Sequence, residues 1–164
     1  MKRYLLLLIN VSLVFVCLSQ SNNTSLPVYV RFPDIPAFTI YKAPDSAKFT
    51  RENLKKKPAV FIIFDPECDH CQRETDSIIS NISKFKKAQI IMVTWLAHRG
   101  MVKFYHDYKI AKYPLITMGS DPKMFFPLYF KVGSLPAIFV YDKNGKFKKS
   151  FDGTVSIHKI ASAF

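Results

Sequence analysis

The strongest constraint in this chain is an unbroken apolar run at 58–64 (PAVFIIF), stopped by Asp65 and Pro66. A run of this length without polar alternation suits a strand buried on both faces, at the centre of a sheet covered by helices. Cys68 and Cys71 come next. Behind them Cys71, Thr75, Ile78, Ile79, Ile82 and Phe85 fall on one stripe at helical spacing. The pattern predicts a helix over 68–85, so a C-x-x-C pair stands at the junction of a buried strand and a helix.

The rest of the chain reads as elements that enclose such a sheet. Residues 28–32 and 37–41 are short apolar and β-branched runs separated by Pro33 and Pro36. They read as the edge strands of an N-terminal hairpin, where proline is tolerated. A turn is expected at 43–46, and a polar stretch at 48–57 holds one helical turn around 52–54. Residues 88–95 (AQIIMVTW) give the next buried strand. Met101, Phe104, Tyr105 and Tyr108 give a second helical stripe. A short strand is expected at 114–118. A helix follows over 121–132, capped by Asp121 with Pro122 at its first position and broken by Pro127. Residues 137–141 and 146–151 flank Asn144-Gly145, a strong hairpin signal. A closing helix fits 155–164. The order implies an α/β fold, a mixed sheet flanked by helices.

The N-terminus carries an export pattern. Lys2 and Arg3 precede an apolar run at 4–18, followed by small polar residues at 19–25. The run is shorter than a usual spanning helix. Residues 1–21 are therefore expected to be a signal peptide or a retained membrane anchor, with lipidation at Cys17 as a third route. After cleavage only Cys68 and Cys71 remain of the three cysteines. A loop this small staples almost nothing, so the pair suggests chemistry in an oxidising compartment. The net charge of +12 comes from lysines spread along the chain, with runs at 55–57, at Lys84, Lys86 and Lys87, and at Lys146, Lys148 and Lys149. This reads as a solvated basic surface. No nucleic-acid motif is present, and no nucleic-acid partner is expected.

The asymmetry of the two thiols gives them different roles. Cys68 falls at the helix start, where unpaired N–H groups stabilise a thiolate. Cys71 lies on the core stripe and waits as a thiol. Cys68 is expected to attack a substrate disulfide, and Cys71 to resolve the mixed disulfide. A protonated His70 would favour the Cys68 thiolate, and Asp65, Glu67 and Asp69 would oppose it. Three acids against one histidine argue for a reductant. Two alternatives stay open. One is a Cu(I)-binding metallochaperone using the two cysteines with His98, His106 or His158. The other is a redox-inactive binding module with a vestigial pair.

Phe64 to Cys71 together with Val132-Gly133-Ser134-Leu135-Pro136-Ala137-Ile138-Phe139-Val140-Tyr141-Asp142-Lys143-Asn144-Gly145 resembles the thioredoxin superfamily, and within it the exported TlpA/ResA-type thiol–disulfide oxidoreductases. Weaker likeness extends through Pro36-Ala37-Phe38 and through 49–58. The resemblance implies a thioredoxin-like domain over 22–164. It implies a cis Pro136 facing Cys68, with the Leu135 backbone, Asp69 and His70 in contact with substrate. It also implies protein thiol or disulfide substrates, a thiol electron donor, no cofactor or metal beyond the cysteine pair, and a monomer. The location implied is the bacterial periplasm or the outer membrane face, soluble after cleavage or tethered through residues 4–18. Two positions depart from the pattern. Glu67 stands where the family commonly has Trp. Ile62 stands where thioredoxins bury an acid, which leaves Glu67 as a substitute proton relay.

Overall fold

The computed structural model describes residues 26–96 and 98–164. The expectations for residues 1–21 and for Cys17 lie outside them. Among the described residues, seven strands form one mixed sheet in the order β2-β1-β5-β4-β3-β6-β7. They are β1 (Thr39–Lys42), β2 (Lys48–Thr50), β3 (Ala59–Ile63), β4 (Gln89–Thr94), β5 (Ile116–Ser120), β6 (Ala137–Tyr141) and β7 (Phe147–Asp152). Five helices accompany them: α1 (Val28–Arg31), α2 (Asp69–Ser80), α3 (His98–Asp107), α4 (Phe125–Phe130) and α5 (Ile157–Ala161).

The apolar run becomes β3, and all its residues are buried. It pairs in parallel with β4 and antiparallel with β6. Alternate side chains leave a strand on opposite faces. Val60, Ile62 and Phe64 therefore join the core that holds Cys71, Ile78, Met101 and Ile160, under α2, α3 and α5. Ala59, Phe61 and Ile63 join the opposite core, with Phe38, Phe126 and Phe130. Phe61 packs against the rings of Phe38, Phe126 and Tyr141 at 5.5, 5.6 and 5.6 Å.

Several expectations need correction. Residues 28–32 are not an edge strand: residues 28–31 form the single helical turn α1, with the Pro27 carbonyl accepting from the N–H of Val30 and Arg31. Burying one ring outweighs the β-propensity of two valines here. Tyr29 packs 5.1–5.5 Å from Phe130, Phe139 and Phe147. The N-terminal hairpin is built instead from β1 and β2, paired Thr39–Thr50 and Ile40–Phe49. Residues 48–50 gave little strand signal because Phe49 alone is apolar there; its ring packs near Phe38, and pairing with β1 holds Lys48 and Thr50. The helix expected over 68–85 ends at Ser80, and a 3₁₀ turn, Ile82–Phe85, carries Phe85 into the core.

The helix expected over 121–132 shrinks to α4, because Met124 takes a left-handed backbone (φ 53°). Asp121 still caps it from a distance: its Oδ2 accepts the Phe126 N–H at 2.8 Å. Pro127 does not break the helix, since it falls in the first turn, where its missing N–H is not needed. The Leu135–Pro136 peptide is cis, and so is Ala43–Pro44. Gly119 has no room for a side chain: a Cβ there would lie 2.8 Å from Ile40 Cδ1. That close approach lets the hairpin dock on β5.

Phe61 is fully buried with rings on three sides. The substitution Phe61→Ala is expected to lower the unfolding free energy by about 3–5 kcal/mol, read as a shift in the urea midpoint.

Candidate active site

The site grows from the end of β3. Phe64 continues the strand, its N–H bonded to the Val93 carbonyl, and the chain then reverses. The Asp65 carboxylate holds the reversal: its Oδ1 accepts the Glu67 N–H at 2.8 Å, and its carbonyl accepts the Cys68 N–H at 3.2 Å. This is a side-chain-mediated turn of the kind Asp favours. Pro66 is buried, and its carbonyl accepts Gln72 Nε2 at 2.9 Å, tying the turn to the helix it precedes.

Cys68 is the N-cap of α2, in extended conformation, and its carbonyl accepts the first helical bond from Gln72. Its side chain is half-buried. Cys71 lies three residues on, 1% exposed within the core. Both cysteines are free thiols. Burial pushes the Cys71 thiol up to about 12, and contact with Cys68 pushes the same way; the Asp65 N–H, bonded to its sulfur, opposes them. The two sulfurs thus stand together with unequal access to solvent.

Cys68 sits among side chains that face water. Glu67, Asp69 and His70 are all exposed. His70 Nδ1 lies 2.9 Å from Arg73 Nη2. A guanidinium only donates, so in this contact Nδ1 is the acceptor. Glu67, the expected proton relay, points to solvent.

The buried carboxyl of this region is Glu74, which sequence reasoning missed. It is 1% exposed and shares the inner face of α2 with Cys71, Thr75 and Ile78. Its Oε2 accepts the Val155 N–H at 3.1 Å, while Oε1 has no partner among the described residues. Burial raises its pKa above the ordinary carboxylate range, against the Val155 hydrogen bond. A Glu in a helix reads as a solvated residue. The signal was its spacing: three after Cys71, hence on the same face.

Leu135 and cis-Pro136 reach the same end of the sheet from β6. Ile63 pairs with Ala137, so Pro136 is level with Phe64 and the turn beyond it. Leu135 is half-buried and packs on both cores. The Pro136 carbonyl accepts the Gly153 N–H at 2.8 Å, so the loop after β7 touches both Pro136 and, through Val155, Glu74. A cleft of about 770 Å³ opens beside the turn, between α2 and α3. Pro66, Glu67, Gln72, Asp76, Lys103 and Tyr108 are among the residues that line it. Among the described residues, no group of three or more His, Cys, Asp and Glu is arranged to hold a metal ion. His98 lies instead beside the hairpin turn, its Nε2 3.2 Å from Ser46 Oγ.

A model of the AhpC/TSA family matches residues 33–150. The chain belongs to the AhpC/TSA family. This stretch includes the hairpin, both cysteines and the cis-proline. Among curated proteins, none matches the chain by sequence. Solved structures share the fold at low identity. One is a secreted Mycobacterium tuberculosis disulfide oxidoreductase homologous to E. coli DsbE, at 19% identity and TM-score 0.64, over 77% of this chain and 96% of that one. Another is the peroxidoxin BcpB of Mycobacterium tuberculosis, at 16% identity and TM-score 0.67, over 79% and 92%. A third is StoA from Bacillus subtilis, at 14% and TM-score 0.58, over 79% and 98%. The family match and the shared fold agree with the thioredoxin-like architecture expected from the sequence.

A carboxyl whose pKa is raised on folding binds its proton more tightly in the native state. Stability is then greatest below the unfolded value and falls as pH rises through the folded one. Glu74 should act this way from its ordinary value of 4.5 upward. Urea midpoints measured against pH are expected to decline more steeply for the native protein than for Glu74→Gln. Parallel profiles would show that the carboxyl does not titrate upward.

Proposed function

We propose that the protein is an exported disulfide reductase that acts on protein substrates through a Cys68–Cys71 mixed-disulfide cycle. The observation that carries this reading is the pairing of a half-buried thiol at a helix mouth with a buried thiol raised to about 12. The two demand opposite things of a nucleophile. Cys68 can meet a visiting disulfide, whereas Cys71 stays protonated until it is needed.

The cycle balances as follows. The Cys68 thiolate attacks one sulfur of the substrate disulfide, and the other substrate sulfur leaves and takes a proton. The Cys71 thiol then loses its proton, and its sulfur attacks Cys68. The second substrate thiol is released and protonated, and Cys68–Cys71 is left as a disulfide. The substrate gains two electrons and two protons. A thiol electron donor returns the pair to the dithiol. Glu74 Oε1 serves as the acceptor for the Cys71 proton. It is a base held in a dry site, on the same helix face, with a pKa already raised towards the working range.

The reducing direction follows from how little the site does to stabilise a thiolate beyond the helix start. A more stabilised thiolate makes a stronger oxidant. Here His70 is engaged by Arg73, and the acids Asp65, Glu67 and Asp69 flank the cysteine. The substrate strand is taken to lie along the Leu135 backbone beside Pro136, against Asp69 and His70. The cleft next to Pro66 and Glu67 takes the neighbouring residues. Export through residues 1–21, as a signal or an anchor, places the cycle outside the cytoplasm.

Insulin reduction with a small dithiol donor tests the reading. Cys68→Ser is expected to fall to the uncatalysed background. Cys71→Ser is expected to accumulate mixed disulfides visible by mass spectrometry. Glu74→Gln is expected to keep the first attack and slow the release step, most strongly near neutral pH. Normal turnover by both cysteine variants would overturn the proposal.

A further inference from the structure

The sheet register gathers seven lysines of this protein at one end. β3 and β4 run parallel, and β6 returns antiparallel, with Ala59 level with both Gln89 and Tyr141. The approach to β3, the approach to β4 and the turn after β6 therefore meet at one pole. Cys68 and Pro136 lie at the other, about 17 Å away along five strand residues. The three segments that converge carry Lys55, Lys56 and Lys57, then Lys84, Lys86 and Lys87, then Lys143. All seven are exposed. Among the described residues, the salt bridges are Arg51–Glu52, Lys103–Asp107 and Lys146–Asp34, so none of the seven is paired.

The acids nearby are already engaged. Asp34 binds Lys146 at 2.7 Å. Asp142 Oδ1 accepts the N–H groups of Asn144 and Lys146 at 2.9 and 3.0 Å. Between the lysines the surface is not uniformly polar. A cavity of about 700 Å³ is lined by Lys84, Lys86, Lys87 and Lys143 together with Pro58, Ala161 and Phe164. Lys143 also closes a second cavity, which Asp34 and the lysines at 55–57 line. Cations thus ring an apolar floor. The chain enters at this same pole, since Asp34 bridges to Lys146. Phe32, two residues earlier, is 60% exposed. Before it come helix α1, the small polar residues 19–25 and the apolar run 4–18.

We propose that this lysine pole is a docking surface for an anionic phospholipid membrane. Phosphate headgroups meet the seven lysines, and the exposed Phe32 reaches the acyl boundary. Cys68 is then turned away from the bilayer towards soluble substrates. The cationic ring around an apolar floor suits a headgroup with an acyl chain beneath it better than an acidic polypeptide. Where residues 1–21 are retained as an anchor, the apolar run 4–18 brings the pole to a bilayer. Each lysine near such a surface strengthens association by about five-fold. This inference does not depend on the direction of the redox cycle.

The test uses the full chain bound to vesicles of phosphatidylcholine alone or mixed with phosphatidylglycerol. Lysines are labelled with an amine-reactive ester and read by mass spectrometry. On mixed vesicles the seven pole lysines are expected to react at least about five-fold more slowly than on pure phosphatidylcholine, an effect lost at high salt. Lys103 and Lys123, at the redox end, are expected to react equally on both. The residues 4–18 are common to both samples, so insertion alone gives no difference. The triple variant K84E/K86E/K87E is expected to lose the protection of Lys55, Lys56, Lys57 and Lys143, with an unchanged Tm. Equal labelling on the two vesicle types overturns the proposal. So does uniform protection that includes Lys103 and Lys123, or protection by polyglutamate in solution without protection by vesicles.

Discussion

The structure depends on a strand with no polar side. β3 gives every side chain to one core or the other, so both faces of the sheet must be covered, and its position at the centre is fixed. Its end is fixed with it. Where the apolar residues stop, Asp65 turns the chain with its own carboxylate, and Pro66 and Gln72 lock the turn to the helix. The placement of Cys68 at an open helix end and of Cys71 in the core follows from that single junction. Reactivity here is a by-product of burial: the same packing that stabilises the domain raises one thiol and leaves its neighbour in reach of solvent.

Two faces of α2 divide the chemistry. The outer face carries Asp69, His70 and Arg73, which water screens, and His70 and Arg73 engage one another. The inner face carries Cys71 and Glu74, where desolvation governs both groups in the same direction. Desolvation disfavours the charged form of each, so passing one proton from the thiol to a Glu74 carboxylate moves a single negative charge within the core and adds none. This arrangement answers the loss of an acid at Ile62, which is wholly apolar in its surroundings between Ile138 and Met92.

How much of this was legible depended on whether the cause was local. The strand at 58–64, the helix start at Cys68 and the hairpin at Asn144-Gly145 are written in adjacent residues, and each formed as expected. Pro136 was legible through its flanking motif. Residues 28–32 were not, because the decision between strand and turn lies with Phe130, Phe139 and Phe147, far along the chain. β2 was hidden for a similar reason, since Lys48 and Thr50 are strand residues only by virtue of β1. Glu74 escaped because its residue type argues for solvent, and only the position of Val155 shows what its carboxylate meets.

The bond from Val155 to Glu74 has a mechanical consequence. The same short loop grips Pro136 through Gly153, so the acid beneath the helix and the cis-proline at the sheet's end are tied to one loop. A carboxylate holds a backbone N–H more firmly than a carboxylic acid does. The protonation of Glu74 therefore sets how firmly this loop, and Pro136 with it, is held.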